Sequence, residues 1–411
     1  MTRILFRASM TPDQNISLEE MLQKDRTGTN IGNLVYQYSV WRTLKTPNTE
    51  IVADGYSLND SDERADRINN KFDAYVIPLA DAFRPDFRKA LKKYTSLIRK
   101  LKIPVYVIGV GARLDYDPDF TKKFEFDEET VEFVRAVVNS SGKPLGLRGE
   151  LTGRYLKKLG FYEGVDYVVT GDPAMYTFGN HIEIRDFNMN GKLLSLNASP
   201  FQSDDTWRIA NELSFGFDSR YFVPQEYREL YLMYNGTRGE FKTNSKHYPN
   251  SATSDMIING EIRYFLSAQK WFDYMKDVDF SFGTRLHGNI VGTINGAPTL
   301  TVTNSSRVRE LTEFHDLPRI KMSDIKPDTH FENMIEKIDF KSPEKVHQNN
   351  FYHYVDFLDK LGLDHIYKTD RNLKFAPADE LLNGIRFEKP VESFAEISTK
   401  ELGNRLSNRF S

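Results

Sequence analysis

Short runs of apolar, β-branched residues alternate along this chain with longer stretches whose apolar positions recur at helical spacing. "IVADG" (51–55), "FDAYVIPLA" (72–80) and "IPVYVIGVGAR" (103–113) are brief, rich in Val, Ile and Tyr, and end in Gly or polar residues, the pattern of strands buried on both faces. Between them, "NIGNLVYQYSVWRTL" (30–44) and "PDFRKALKKYTSLIRKL" (85–101) carry the helical period, with Pro85 suited to a first turn. The order βαβα predicts a mainly parallel sheet covered on both faces by helices. It continues through "EETVEFVRAVVNSS", "PLGLRGELTGRYLKKLGF" and "DYVVTGDPAMY", ending at residue 176.

A polar stretch, "GNHIEIRDFNMNG" (179–191), then breaks the pattern and reads as an interdomain connection. A second series follows: "KLLSLNAS" (192–199), the helical "DDTWRIANELSFGF", the strand-like "RYFVPQ", then "EIRYFLSAQKWFDYMKDV" and "VDFSFGTRLHGNIVGTINGAPTLTV" (278–302). The segment 233–257 is long, polar and rich in Gly, Asn and Ser, which predicts a loop placed to cover a site. Past residue 343, "PEKVHQNNFYHYVDFLDKLGL" has a strong helical period and "KPVESFAEISTKELGNRLSNRFS" reads as a polar helical tail. The expected division is residues 1–185, 186–345, and a tail of 346–411 that packs back on the first domain.

Composition narrows the function classes. A chain of 411 residues fits two domains of roughly 150 to 200 residues. A formal net charge of -3 argues against non-specific nucleic-acid binding while leaving room for a local basic cleft. With no cysteine, disulfides, thiolate nucleophiles and Cys-ligated zinc are excluded, in keeping with a reducing compartment. No run approaches 18 apolar residues and "MTRILFRASMTPDQN" has no apolar leader, so neither a transmembrane span nor a secretion signal is expected.

The chemistry concentrates where strands end. "VDFSF" reads as a strand, and a helix beginning near Arg285 to Gly288 runs through "NIVGTIN" until Gly296-Ala297-Pro298 stops it. A helix N-terminus at a strand's carboxyl end points unpaired N–H groups at a ligand. Arg285 there grips a carboxylate or phosphate with two parallel bonds, His287 passes a proton near neutral pH, and Gly288 lets a ligand or backbone approach. The bland alternative is a surface arginine beside a hydrogen-bonded histidine. Arg148, after "PLGL", is an anion clamp or one more basic residue of its helix. Asp172 in "VVTGDPAMY" is a base or a turn cap. "GVGAR" has Gly109 and Gly111 but Leu114 where a dinucleotide fingerprint needs a third glycine, which disfavours a nicotinamide cofactor. No HExxH, P-loop or GxSxG pattern occurs and the histidines have no metal spacing, so no metal site is expected.

Taken in order, "NIGNL", "VIGVGAR", an Arg followed by a helix ending in "LKKLG", "VVTGDPA" and "RLHGNIVGTINGAPTL" give the chain a resemblance to the polysaccharide pyruvyl transferase family over most of residues 30–310. The resemblance implies an α/β protein of two Rossmann-like domains facing across a cleft, GT-B-like, with a C-terminal helical tail. It implies transfer of pyruvate from phosphoenolpyruvate, as donor substrate and with no cofactor, onto a hydroxyl pair of a cell-surface polysaccharide or its precursor. His287 and Arg285 are then the leading catalytic candidates and Asp172 a base, while Arg148, Gly288, Asn33, Gly111, Arg307 and Arg309 are expected on substrate. Two positions depart from the family pattern: Asn33 stands where many relatives carry Asp, and Arg307 and Arg309 stand where a lysine is expected. The acceptor is a nucleotide-linked, lipid-linked or polymeric saccharide, with aromatics such as Trp41, Tyr234 and Trp271 available to line its pocket, and the setting is the cytoplasm or the inner face of the membrane. The alternatives are a nucleotide-sugar glycosyltransferase of the same architecture and a non-catalytic carbohydrate- or anion-binding protein. Against the first, Glu310 and Glu313 are expected to be solvated rather than to form an acidic ribose-binding pair.

Overall fold

The computed structural model describes residues 1–236 and 242–407. The first half holds strands β1 (Thr2–Phe6), β2 (Thr49–Ala53), β3 (Ala74–Pro78), β4 (Val105–Ile108), β5 (Leu145–Leu147) and β6 (Tyr167–Val169). The first four form a parallel sheet in the order β2-β1-β3-β4, with Ile4 of β1 opposite Ile51 on one side and Ala74 on the other. β5 and β6 pair in parallel and join the edge of this sheet through a bridge between Val110 and Leu147.

The second half holds β7 (Leu193–Asn197), β8 (Ser219–Phe222), β9 (Arg263–Tyr264), β10 (Phe280–Gly283), β11 (Thr299–Thr303) and β12 (Arg319–Lys321). Its five-stranded parallel sheet runs β12-β11-β10-β7-β8. Two parallel α/β units therefore face each other, a GT-B-like arrangement. In each sheet the chain leaves its first strand toward one edge and later returns to the other side of that strand. The reversal falls between β1 and β3 in the first sheet and between β7 and β10 in the second, the places where open α/β sheets form ligand crevices.

The helix Gly32–Leu44 is buried at every position except Asn33, because it lies between the two units. Tyr38 packs edge-on against Phe272 of the second unit, and Trp41 is in the core. A helix buried on all sides belongs in such a place, with its polar members such as Arg42 satisfied by partners. Trp271 is also a core residue, stacked on Phe265, and Tyr234 is buried. These three aromatics are thus packing residues and not an exposed sugar pocket.

The segment after the second sheet clasps both units. Helix Ser342–Leu361 returns to the first, where Phe357 lies against Gly146 and the His353 ring meets Val169 O at 3.0 Å. Arg42, 1% exposed, makes a two-pronged bond to Asp379 at 2.7 and 2.6 Å. The chain then crosses over: β13 (Val391–Glu392) pairs antiparallel with β9, and Arg405 in the helix Thr399–Ser407 reaches the carbonyls of Tyr234 and Glu392. The end of the tail, expected on the first domain, packs on the second, because β9 offers it a strand partner. Within the loop read as a site cover, residues 237–241 lie outside the described residues, while Asn244 and Ser245 bind back to Pro200 and Asp204. Among the described residues no helix is long and apolar enough to cross a membrane.

Candidate functional site

The carboxyl ends of both sheets converge on one buried polar cluster. Arg148 directly follows β5, whose Leu147 and Arg148 are anchored to the β4 end by the bridge at Val110 and the Arg148 N–H to Val110 O at 3.0 Å. The Arg148 side chain is fully buried; Nε donates to Gly109 O at 2.6 Å, and the guanidinium lies 4.7 Å from the centre of the Tyr36 ring. Nη1 is 3.2 Å from Asp172 Oδ2, an ion pair not aligned as a hydrogen bond, and neither Nη1 nor Nη2 has a hydrogen-bond partner among the described residues. Buried donors left unmatched are costly, so these two nitrogens are free to take an acceptor that reaches them.

Asp172, also fully buried, does cap its turn: Oδ1 accepts the Ala174 N–H at 3.0 Å. Its Oδ2 faces Arg148 on one side and His287 Nε2, 3.5 Å away, on the other. Burial pushes the Asp172 carboxyl up, but Arg148 and His287 outweigh it and hold the group well below the usual carboxylate range. His287 is 5% exposed at the start of the helix Leu286–Ile294. Burial lowers its pKa, and Arg148 and Arg307 lower it further against the pull of Asp172, so the imidazole is neutral at pH 7. The ring fits only because residue 32 is glycine; a Cβ there would lie 2.6 Å from His287 Nδ1. The "NIGNL" stretch thus touches the histidine 255 positions downstream through its missing side chain.

Arg307 and Asp81 extend the cluster. Arg307 is half-buried with Nε unpartnered, and its pKa is lowered by burial, with Arg148 and Arg113 adding to the effect. Asp81, at the β3 end, is gripped by Arg113 at 2.8 Å and Arg84 at 2.9 Å. Four arginines thus surround two carboxylates, an excess of positive charge at the strand ends.

Several expectations change with the structure. Arg285 caps the same helix as His287, yet its guanidinium is ion-paired with Glu226, with Nε on Ala198 O at 3.2 Å. Asn33 uses its amide to hold the carbonyls of Thr27 and Gly28 at 2.9 and 3.2 Å, so it shapes a turn. Gly288 makes room for Asn197, whose side chain a Cβ would meet at 2.9 Å, rather than for a ligand. Arg309 points to the rim, bound to Asp117 and to Glu313 at 2.8 Å. Gly111 does sit inside the cluster, where its Cα allows the close approach of Glu310 and Arg148.

Glu310 is the clearest correction. It is 2% exposed, not solvated, and bonds across the domain boundary to the Thr152 N–H and O–H at 2.8 and 2.9 Å. Burial pushes its carboxyl up to about 7. His315, which sequence reasoning passed over, accepts the Asp172 N–H at Nε2, 2.8 Å. Burial drops its pKa to about 3, keeping it the neutral acceptor this bond requires. Helical spacing gave no signal for either residue, since both face partners more than 140 positions away. Among the described residues no group of three or more acidic or imidazole side chains is placed to hold a metal.

Structural comparison finds solved proteins of remote likeness. A protein described as a UDP-N-acetylglucosamine 2-epimerase from Listeria monocytogenes shares 12% identity, covering 91% of this chain and 99% of its own, with a TM-score of 0.49. The UDP-GlcNAc 2-epimerase of Methanocaldococcus jannaschii, solved with UDP-GlcNAc and UDP, shares 12% identity over 85% of this chain and 99% of its own, TM-score 0.44. The glycosyltransferase SnogD from Streptomyces nogalater shares 7% identity over 87% and 96%, TM-score 0.37. Likeness this remote carries no information about chemistry. No curated protein matches the chain. The sequence model described as polysaccharide pyruvyl transferase matches residues 30–306, from Asn30, two positions before the glycine beneath His287, to Ser306 at the start of the Arg307 helix, and on that match the chain belongs to the polysaccharide pyruvyl transferase family.

Proposed function

We propose that the protein moves pyruvate from phosphoenolpyruvate onto two hydroxyls of one sugar in a cell-surface polysaccharide or its precursor, working in the cytoplasm or at the inner face of the membrane. The observation that carries this reading is the buried Arg148, whose two Nη atoms have no hydrogen-bond partner among the described residues and whose ion-pair partner Asp172 also faces His287. A donor with a carboxylate and a phosphate supplies the acceptors these nitrogens lack. Arg307, with its own unpartnered Nε, serves the same anion.

The chemistry follows from the charges. The methylene carbon of phosphoenolpyruvate takes a proton, C2 becomes electrophilic, a sugar hydroxyl adds and gives up its proton, phosphate leaves with the C–O bond pair, and the second hydroxyl closes the ketal as it loses its own proton; of the two protons released, one replaces that given to the methylene carbon and the other leaves with phosphate. Fixed guanidinium charge helps most as the leaving phosphate develops. His287 is neutral in the unliganded protein. The donor's negative charge raises its pKa, so His287 takes up a proton on binding and is then the acid for the methylene carbon. Asp172 has no exposure and both neighbours are cationic or imidazole groups, which suits it to orient His287 rather than to accept a sugar proton. Arg285 joins the donor by exchanging Glu226 for the donor's carboxylate.

The nucleotide-sugar alternative wants an acidic side chain available for ribose hydroxyls after the helix N-terminus. Glu310 is engaged by Thr152 and Glu313 by Arg309. The direct test is incubation with phosphoenolpyruvate and a panel of saccharide acceptors, reading phosphate release and a ketal by mass spectrometry and NMR. Phosphate release with a pyruvate ketal is the expected result; glycosyl transfer from a nucleotide sugar with phosphoenolpyruvate inert would overturn the reading.

A further inference from the structure

The first sheet has its own reversal of strand order, between β1 and β3, the kind of place where open α/β sheets bind ligands, and the cluster described above leaves it unused. Arg7 stands there as the residue after β1, with its N–H on Val76 O at 2.9 Å and Nη1 donating at 3.2 Å to the carbonyl of Pro78, the last residue of β3. Its guanidinium lies 4.7 Å from the Tyr56 ring centre and 5.7 Å from that of Tyr94, and Nε donates to the Tyr94 hydroxyl at 2.7 Å. Nη2 has no partner among the described residues and Arg7 is half-buried, so one face of the fork is left toward solvent.

Tyr56 is held with equal care. It has a φ of +54°, after Gly55 at +68°, a left-handed conformation that a bulky residue adopts only under constraint. Gln37 donates to its hydroxyl, and Gly28 leaves space for its ring. Gln37 follows Tyr36, the residue beneath Arg148, so one turn of one helix supports both places. The nearby carboxylate, Asp54, is engaged: it accepts the Tyr75 hydroxyl at 2.5 Å and the Tyr56 N–H at 2.8 Å, with Arg64 3.9 Å away.

We infer that Arg7 and Tyr56 form an acceptor subsite, in which the remaining Arg7 N–H groups take an anionic group of the saccharide and the Tyr56 ring lies along the sugar. The inference rests on the pyruvyl-transfer reading for its assignment to the acceptor, but the anion site stands on its own geometry. The shared ligand chemistry is an oxyanion, phosphate on a carrier or a sugar carboxylate. A fork held over one ring and hydrogen-bonded to the hydroxyl of another loses little freedom on binding and favours planar, two-point contact.

The test is calorimetric titration of the full chain with three probes: a glucuronic acid disaccharide, UDP-N-acetylglucosamine and a neutral disaccharide, each with and without phosphoenolpyruvate. One of the two anionic probes is expected to bind alongside phosphoenolpyruvate, and which one binds identifies the source of the charge. Arg7→Gln should weaken that probe about tenfold or more, with phosphoenolpyruvate affinity within about twofold of wild type. Arg7→Lys fills the same slot and keeps the charge, so it guards against misfolding of the first variant; it should fold and bind the anion several-fold more weakly. Unchanged anion affinity in both variants, competition of the probe with phosphoenolpyruvate, or no anionic probe binding at all would overturn the subsite. If phosphoenolpyruvate alone fails to bind while the Arg7-dependent anion remains, the donor reading falls and the anion site stands.

Discussion

Arg148 and Arg285 are the same residue type at the ends of parallel strands, yet the structure treats them differently. Arg148 has no exposure, a carboxylate partner that is itself shared with His287, and two nitrogens without hydrogen bonds among the described residues. Arg285 is half-buried and already closed by Glu226, which is in turn bound to Arg228. One arginine pairs with a fully buried carboxylate and the other with a half-buried one. Motif position alone ranks Arg285 first, because it shares a helix start with His287. Burial and unmatched donors rank Arg148 first.

The comparison is broken most directly at Arg148. Arg148→Ala removes the guanidinium and strands a buried carboxylate; turnover should fall about 10³-fold, and stability by about 3–5 kcal/mol. Urea denaturation beside a phosphate-release assay separates the two effects, and Arg285→Ala should show the smaller stability loss. His287→Ala should lower turnover about 10²- to 10⁴-fold with less change in folding. Near-normal turnover in that variant removes the histidine from the chemistry.

Glu310 sharpens the account through pH. Its folded pKa, about 7, lies above the unfolded value, so its contribution to stability is full below pH 4.5 and is lost as pH rises through 7. Wild type should therefore lose about 1–3 kcal/mol more than Glu310→Gln between pH 5 and pH 8, read by denaturant midpoints. Equal pH slopes would show that the carboxyl is not proton-linked to folding. The smallest effect is expected at Glu226: Glu226→Gln loosens the hold on Arg285 and should tighten phosphoenolpyruvate binding a few-fold, by calorimetry.

The alternation of apolar runs and the strand-end motifs were legible because they are local. β3, β4, the helix after Gly283 and the turn at Asp172 follow from spacing and from Gly and Pro at the breaks. The contacts that decide function are long-range. Nothing in "RVRELTEF" distinguishes Glu310, 2% exposed, from Glu313 on the same helix, since the difference lies in Thr152 of the other unit. The central strand β1 was missed for a different reason: "RILF" is short, and its neighbours β2 and β3 come from residues 49–78. Gly32 was legible as part of a motif, but only the fold shows that its missing Cβ admits the His287 ring.

If Arg148 and His287 together form the donor site, calorimetric titration of phosphoenolpyruvate reads both. The measurement is made near pH 7 in two buffers of different ionisation enthalpy, with wild type, Arg148→Gln and His287→Gln. The account predicts binding with proton uptake in wild type, affinity weakened about tenfold or more in Arg148→Gln, and binding without the proton uptake in His287→Gln. Full affinity in Arg148→Gln, with proton uptake unchanged in His287→Gln, would contradict it.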